Sequence, residues 1–425
     1  MNILSKKIVS GLKGSIEIPS DKSISHRAVM FSSLAAGRTK VSNFSKGADC
    51  HSTLNIIKQL GCDVDFLDEK NLIITANKKF RQPLQNLDCG NSGTTMRLIA
   101  GVLSGQSFNS TLIGDTSLSK RPMKRIIEPL DLMGAKINHN DFKAPLEIIG
   151  TPLQGINYKS KLSSAQVKSC ILLAGLNAQG ETIFEEPYQS RNHTELMLEY
   201  LGADIKTEKN ITTIKKSQLI ARDLTISGDI SSATFFMVAA CIIPHSDIII
   251  KNVGLNPTRT GILDVLEKMG ANIEILDKKI ICKEEVGDVR VKYSELTGIE
   301  ISGEIIPRLI DELPVIAILA TQAKGKTLVK DAQDLRNKEA DRISCLIKEL
   351  SKIGVNATET PDGFIIEGKT EINGGAEVEC YHDHRLAMSL YVAGLIAKKP
   401  ILIKEFQWVD ISFPEFLDLM ECLKN

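Results

Sequence analysis

Two permanent cations and several hydroxyls gather in Pro19-Ser20-Asp21-Lys22-Ser23-Ile24-Ser25-His26-Arg27. A helix is expected to begin there, and a helix N-terminus offers unpaired backbone N–H groups and the positive end of a dipole. The natural guest is phosphate or carboxylate. Apolar residues at Ile24, Ala28, Phe31 and Ala35 carry helical spacing onward from Ile24, and Gly37 is expected to stop the helix. Ordinary capping would explain one such start. Other stretches repeat the theme. Asp88-Cys89-Gly90-Asn91-Ser92-Gly93-Thr94-Thr95-Met96-Arg97 sets glycines, which let backbone approach a ligand, before a helical pattern through Ile99, Ala100 and Leu103. It lacks the lysine of a nucleotide P-loop. The run from Gly114 to Arg125 ends in Lys120, Arg121, Lys124 and Arg125. Pro122 should hold Arg121 extended, and a fixed guanidinium can grip a carboxylate through two bonds. Ser163-Ser164-Ala165-Gln166-Val167-Lys168-Ser169 again puts small hydroxyls at a helix start, with Gln166 both donor and acceptor.

Carboxylates stand elsewhere. Ile310-Asp311-Glu312-Leu313-Pro314 places two at the head of an apolar helix, where capping is the simple reading. Arg336-Asn337-Lys338-Glu339-Ala340-Asp341-Arg342 alternates charge more densely than a solvated face needs. Tyr381-His382-Asp383-His384-Arg385 has two histidines two apart, but no further ligand cluster accompanies them, and no metal is expected.

The elements that hold these stretches must come from a large core, since 43% of the 425 residues are hydrophobic. Lysine and arginine number 52, and aspartate and glutamate 52. The balanced charge gives no overall field toward nucleic acid or a membrane surface, so anion binding must be local. The nine cysteines are scattered, without a CxxC pair, which argues against a disulfide framework and a zinc site and for a reducing cytoplasm. No apolar run is long enough for a membrane span or an export signal.

A phrase recurs: Leu60-Gly61-Cys62-Asp63-Val64, Met133-Gly134-Ala135-Lys136-Ile137, Leu201-Gly202-Ala203-Asp204-Ile205, Met269-Gly270-Ala271-Asn272-Ile273 and Ile353-Gly354-Val355-Asn356-Ala357. Each follows a helical pattern and precedes a β-rich run, so glycine is the helix stop. The period, roughly 70 residues, is that of a folded unit and divides the chain into about six. Glycines interrupt strand-like runs between Gly11 and Gly14 and again at Ser227-Gly228-Asp229. If the chain crosses between domains at both places, one domain is 15–227 and the other combines 1–14 with 228–425.

In this order, SDKSISHR, GNSGTTMR, SKRPMKR, SSAQVKS, IDELP, RNKEADR and YHDHR resemble the 5-enolpyruvylshikimate-3-phosphate synthase family, and SSAQVKSCILLAGL with SRNHTELM is similar to its bacterial class II wording. The resemblance runs from about residue 11 to Ser412-Phe413-Pro414-Glu415-Phe416. It implies an α/β fold of two domains, an inside-out α/β barrel with six βαβαββ repeats, three per domain, and an active site in the interdomain cleft. The implied reaction moves the enolpyruvyl group of phosphoenolpyruvate to the 5-hydroxyl of shikimate 3-phosphate and releases phosphate, on the route to chorismate and aromatic amino acids. By the same resemblance Lys22 lies between the substrates, and Ser23, Arg27, Ser164, Ala165, Gln166, Arg191, Asp311 and Lys338 hold shikimate 3-phosphate. Asn91, Gly93, Arg121, Gln166, Arg342 and Arg385 hold phosphoenolpyruvate with Lys22. Asp311 takes the proton of the attacking hydroxyl, and Glu339 protonates the methylene carbon. Glyphosate is the implied inhibitor, no cofactor is implied, and a monomer is expected.

Two departures from the plant-like pattern stand out. Asp410-Ile411-Ser412 replaces a lysine before the final Phe-Pro, and Asn337 stands where an apolar residue is usual. The main alternative is the related enolpyruvyl transferase acting on UDP-N-acetylglucosamine. That enzyme uses a loop cysteine as acid, and 115–121 has none. A non-catalytic phosphometabolite-binding protein is the other alternative; intact Asp311 and Glu339 argue against it.

Overall fold

The computed structural model describes residues Met1–Lys424. The chain forms two compact units, one of Ser20–Ser227 with Ile281–Glu284, the other of Met1–Pro19, Gly228–Ile280 and Glu285 onward. Among the described residues the strands form six sheets, three to a unit.

The unit built on 20–227 carries α1 (Lys22–Leu34), α2 (Ala48–Gln59), α3 (Gly93–Ser104), α4 (Lys124–Leu132), α5 (Ala165–Gly175) and α6 (His193–Tyr200). One sheet orders Leu87–Asp88, Ser110–Ile113, Lys143–Ile149 and Lys136–Asn140, its first pair parallel and the others antiparallel. Read along the chain this is strand, α3, strand, α4, strand, strand. The run from Asn157–Lys159 to Ile211–Lys215 repeats it with α5 and α6. In the remaining repeat the first strand comes from the far end of the unit. Leu219–Ile220 and Leu224–Thr225 lie parallel to Ala35–Ser42.

The other unit carries α7 (Ile230–Ile242), α8 (Gly261–Lys268), α9 (Ile306–Leu309), α10 (Leu313–Thr321), α11 (Arg342–Lys352), α12 (His384–Gly394) and α13 (Phe416–Cys422). Its sheets follow the same plan with borrowed ends. Lys13–Glu17 lies parallel to Asp247–Gly254, and Ile3–Ser5 lies antiparallel to Ile401–Ile403, completing the repeat that α12 begins. The sixth repeat therefore lacks the recurring glycine phrase, because its last strand precedes everything else in the chain. The other five glycines do follow α2, α4, α6, α8 and α11, with φ from +86° to +100°, the left-handed stop that a side chain would strain.

Burial sorts the helices into two kinds. α1, α3, α5, α7, α10 and α12 are buried on nearly every side, while α2, α4, α6, α8 and α11 each bury part of their surface. A helix apolar all round belongs inside, and a strand that alternates, as Lys143–Ile149 does, has one face for the core and one for water. Each unit thus packs three central helices together beneath its sheets and has its own hydrophobic core. Gly101 shows how closely α3 meets α5: a Cβ there would lie 2.1 Å from the carbonyl oxygen of Cys170.

Three local expectations change. α1 starts at Lys22 rather than Ile24, because Asp21 Oδ1 accepts from the Ile24 amide at 2.8 Å and fixes the cap. Gly37 does not end it; the helix stops at Leu34 and Gly37 lies inside Ala35–Ser42, since Leu219 and Ile220 pair with Ala35 and Ala36 and pull them into a sheet. The first crossing falls after Pro19, not between Gly11 and Gly14, because Lys13–Glu17 is in register with Asp247–Lys251. Residues 281–284 also group with the 20–227 unit, where Glu284 Oε1 lies 2.6 Å from His193 Nδ1.

Candidate active site

In the 20–227 unit the motif residues meet at the N-terminal ends of α1, α3 and α5. Arg27 is buried and donates from Nε to Thr194 Oγ1 (2.7 Å), from Nη2 to Ser169 Oγ (2.8 Å) and from Nη1 to the Ser23 carbonyl (3.0 Å). It thereby joins α1, α5 and α6. Lys22 forms an ion pair with Asp49 of α2. Ser164 and Ala165 open α5, with no cap bond from the Ser164 side chain. Gln166 bridges to α3, its Oε1 accepting from Arg97 Nη1 (2.7 Å) and its Nε2 donating to Thr94 Oγ1 (3.0 Å).

Arg121 is extended, with φ −74° and ψ 137°, as Pro122 requires. Its Nη2 donates to Asn91 Oδ1 (2.7 Å), and Asn91 in turn donates to Asp115 Oδ2 (2.6 Å). Gly93 lies beneath two guanidinium groups. A Cβ there would meet Arg97 Nη1 at 2.6 Å and Arg121 Nη1 at 3.6 Å. Three helix N-termini and these cations make a strongly anion-favouring surface.

A chain of hydroxyls lies behind it. Thr95 Oγ1 donates to Ser92 Oγ (2.7 Å), so at its 2.7 Å contact with Thr53 Oγ1 it must accept; Thr53 then accepts from His26 Nδ1–H (2.7 Å). That fixes the tautomer and leaves His26 Nε2 buried without a partner. Burial lowers the His26 pKa to about 3, with Lys22 and Arg27 adding to the shift and Asp49 opposing it.

In the other unit the cations face carboxylates. Arg342, fully buried at the start of α11, donates to Asp383 Oδ2 (2.6 Å), Glu339 Oε2 (2.6 Å) and Asp311 Oδ1 (3.2 Å). Burial alone would lower its pKa, but the three carboxylates outweigh that and raise it, so the guanidinium stays charged. Asp311 Oδ1 also accepts from Lys338 Nζ (3.1 Å), and Arg385 Nη1 donates to the Asp311 carbonyl (3.3 Å). Asp383 caps α12 through the Arg385 and Leu386 amides, and Asp341 caps α11. The Lys338 and Glu339 side chains keep 28% and 27% of their exposure, enough to reach a ligand, whereas Asp383 has none.

Arg191 belongs to the segment 186–192. The segment is anchored by buried Lys168, which reaches Glu186 (2.8 Å), Glu195 (2.7 Å) and the Ser190 carbonyl (3.1 Å). Ile411 ends a 3-10 turn, Phe406–Ile411. Among the described residues no group of His, Cys, Asp or Glu is arranged to hold a metal ion, and no helix is long and apolar enough to cross a membrane.

The family model described as EPSP synthase (3-phosphoshikimate 1-carboxyvinyltransferase) matches residues 6–420. The chain belongs to the EPSP synthase family. A 3-phosphoshikimate 1-carboxyvinyltransferase of Petrotoga mobilis is 50% identical over 421 residues, covering 97% of this chain and 98% of the relative. One of Thermodesulfovibrio yellowstonii is 50% identical over 435 residues, covering 100% of both. The structure of an EPSP synthase from Acinetobacter baumannii superposes with a TM-score of 0.89 at 41% identity, over 99% of this chain and 98% of that one. The enolpyruvyl transferase NikO from Streptomyces tendae shares the fold, with a TM-score of 0.81 at 15% identity over 99% and 97% of the two chains.

Against the EPSP synthase motifs, four side chains of the two clusters escaped the sequence reading. Arg97 and Thr94 stood inside a quoted motif, but their partner Gln166 is distant in sequence. Asp49 lies in no motif. Asp383 was overshadowed by its histidine neighbours, one of which, His382, is exposed beside Trp408.

Proposed function

We propose that this chain transfers the enolpyruvyl group of phosphoenolpyruvate to the 5-hydroxyl of shikimate 3-phosphate. The observation that carries this reading is the near-full-length, 50% identity to enzymes named for that reaction. The two side-chain clusters have the chemistry such substrates need.

Both substrates are multiply anionic, and the ends of α1, α3 and α5 supply cations and N–H groups for them. Ser23, Arg27, Ser164, Ala165, Gln166, Arg191 and Lys338 hold shikimate 3-phosphate. Asn91, Gly93, Arg121, Gln166, Arg342 and Arg385 hold phosphoenolpyruvate, and Lys22 serves both. Asp311 takes the 5-hydroxyl proton as that oxygen bonds to C2 of phosphoenolpyruvate, while Glu339 gives a proton to C3. The adduct then loses a proton from C3 as the bond from C2 to the phosphate oxygen breaks, which restores the double bond and frees phosphate. Arg342 Nη2 donates to Glu339 Oε2 at 2.6 Å.

Glyphosate, an anion longer than phosphoenolpyruvate, would compete at Gly93 and Arg121. The cysteines are free and mostly buried, which suits the cytoplasm, where we take the chain to work as a monomer. Phosphate release measured with shikimate 3-phosphate plus phosphoenolpyruvate is the test. Turnover with that pair and none with UDP-N-acetylglucosamine supports the reading; the reverse, or no turnover with either, rejects it.

A further inference from the structure

Glu312 occupies the N-cap position of α10, where a carboxylate would be expected to cap, yet its side chain makes no cap bond. It turns inward instead and is 1% exposed. There Oε1 accepts the hydroxyl hydrogen of Ser231, in the first turn of α7. Ser231 Oγ in turn accepts from Arg259 Nη2 at 2.5 Å, and the same nitrogen lies 3.3 Å from Asp229 Oδ1 and 3.9 Å from Glu312 Oε1. Asp229 caps α7 through the Ser231 amide (2.9 Å). Burying a carboxylate is costly unless it is paired and hydrogen-bonded; Oε1 has such partners, whereas Glu312 Oε2 is buried without a hydrogen bond. The arrangement ties the start of α10 to the start of α7 and to the segment before α8.

The residue before Glu312 is Asp311. Its carbonyl accepts from Arg385 and its carboxylate from Lys338 and Arg342. Those contacts come from side chains that we take to bind substrate. The Glu312 anchor uses a different set of side chains, Ser231, Arg259 and Asp229.

We propose that Glu312, held by Ser231 and Arg259, is a positioning residue that sets where the Asp311 carboxylate stands when it takes the hydroxyl proton. The inference rests on the reading of Asp311 as the base. A displacement of about 1 Å at a reacting group can cost on the order of a hundredfold in rate, so removing the anchor acts on turnover and leaves binding nearly unchanged.

The test is steady-state kinetics of the full chain with both substrates, alongside thermal melts, for wild type, Glu312→Ala, Glu312→Gln and Ser231→Ala. Wild type must first turn over; if it does not, the functional reading fails, not this one. The expected result is a fall in kcat of about tenfold to a hundredfold for Glu312→Ala and Ser231→Ala, with both KM values within about twofold. Glu312→Gln keeps an oxygen for Ser231 and should restore kcat to within about threefold of wild type. Ser231→Ala removes one oxygen atom and keeps the reading testable if Glu312→Ala does not fold. An unchanged kcat in folded Ser231→Ala, or a rise in KM in place of a fall in kcat, overturns the proposal.

Discussion

Arg27 and Arg342 are both buried arginines in the opening turns of a helix, and their surroundings are opposite in character. Arg27 is held by two hydroxyls and a carbonyl, Arg342 by three carboxylates. Arg97 and Arg121 likewise lie on the amides of Gln166 and Asn91 and Lys338 on Asp311, whereas Lys22, paired with Asp49, and Arg385, on the Asp311 carbonyl, break the pattern. Neutral acceptors orient a guanidinium without cancelling its charge and leave it able to attract an anion. Carboxylates offset the charge. On the proposed function, one repeated architecture would support a binding surface in one unit and proton-transfer groups in the other.

The largest expected effect is on the proton-transfer side. Asp311→Asn should lower kcat by roughly two to four powers of ten while both substrates still bind. A rise in KM with kcat preserved would assign Asp311 to binding and erase the contrast.

Next come the two arginines. Arg342→Met leaves three carboxylates around a missing cation and should cost about 3–5 kcal/mol of unfolding free energy. Arg27→Met leaves Ser169 and Thr194, whose hydroxyls already lie 2.6 Å apart and can bond each other, so about 1–3 kcal/mol is expected. Urea melts that give equal losses would show that the acceptors' charge does not matter.

A smaller effect is expected at Gly93. The added methyl of Gly93→Ala meets the movable end of Arg97 rather than backbone, so the pocket narrows without collapsing. The ratio of glyphosate inhibition constant to phosphoenolpyruvate KM should rise about tenfold to a hundredfold, the equivalent of about 1–3 kcal/mol. Equal rises in both constants would place Gly93 away from the part of the pocket that separates the two anions.

An effect of similar size, spread over pH, concerns His26. Its folded pKa, about 3, lies below the ordinary 6.5, so between those values the unfolded chain binds the extra proton. The stability that neutral His26 contributes is complete above about pH 6.5 and is lost as pH falls toward 3, with a slope of up to about 1.4 kcal/mol per pH unit. Urea melts of wild type and His26→Gln between pH 7.5 and 5 should show the steeper decline in wild type; parallel curves would remove His26 as the cause.

Much of this was legible in the sequence because it is local. Five glycines after helices marked the repeat, and short runs of cations and hydroxyls marked the ends of α1, α3 and α5. What could not be read were pairings across distance. Glu312 looked like a cap because the helix beside it is visible in sequence and Ser231 is not. Gly37 looked like a helix stop because the strand that claims its neighbours comes from residues 219–220. Glycines between 11 and 14 suggested a crossing, yet Lys13–Glu17 finds its partner only at Asp247–Lys251.

The borrowed strands also set a timetable. As the chain emerges from a ribosome, Lys13–Glu17 has no partner until Asp247 appears, and Ile3–Ser5 must wait for Ile401–Ile403. Meanwhile nearly all of the 20–227 unit is available to fold as one piece. Late pairing across so long a loop is slow and leaves strand edges open to aggregation. In refolding followed by pulsed hydrogen exchange, the amides of Ile74 and Leu112 should gain protection before those of Ile16 and Leu4; the opposite order would mean that the ends find each other first.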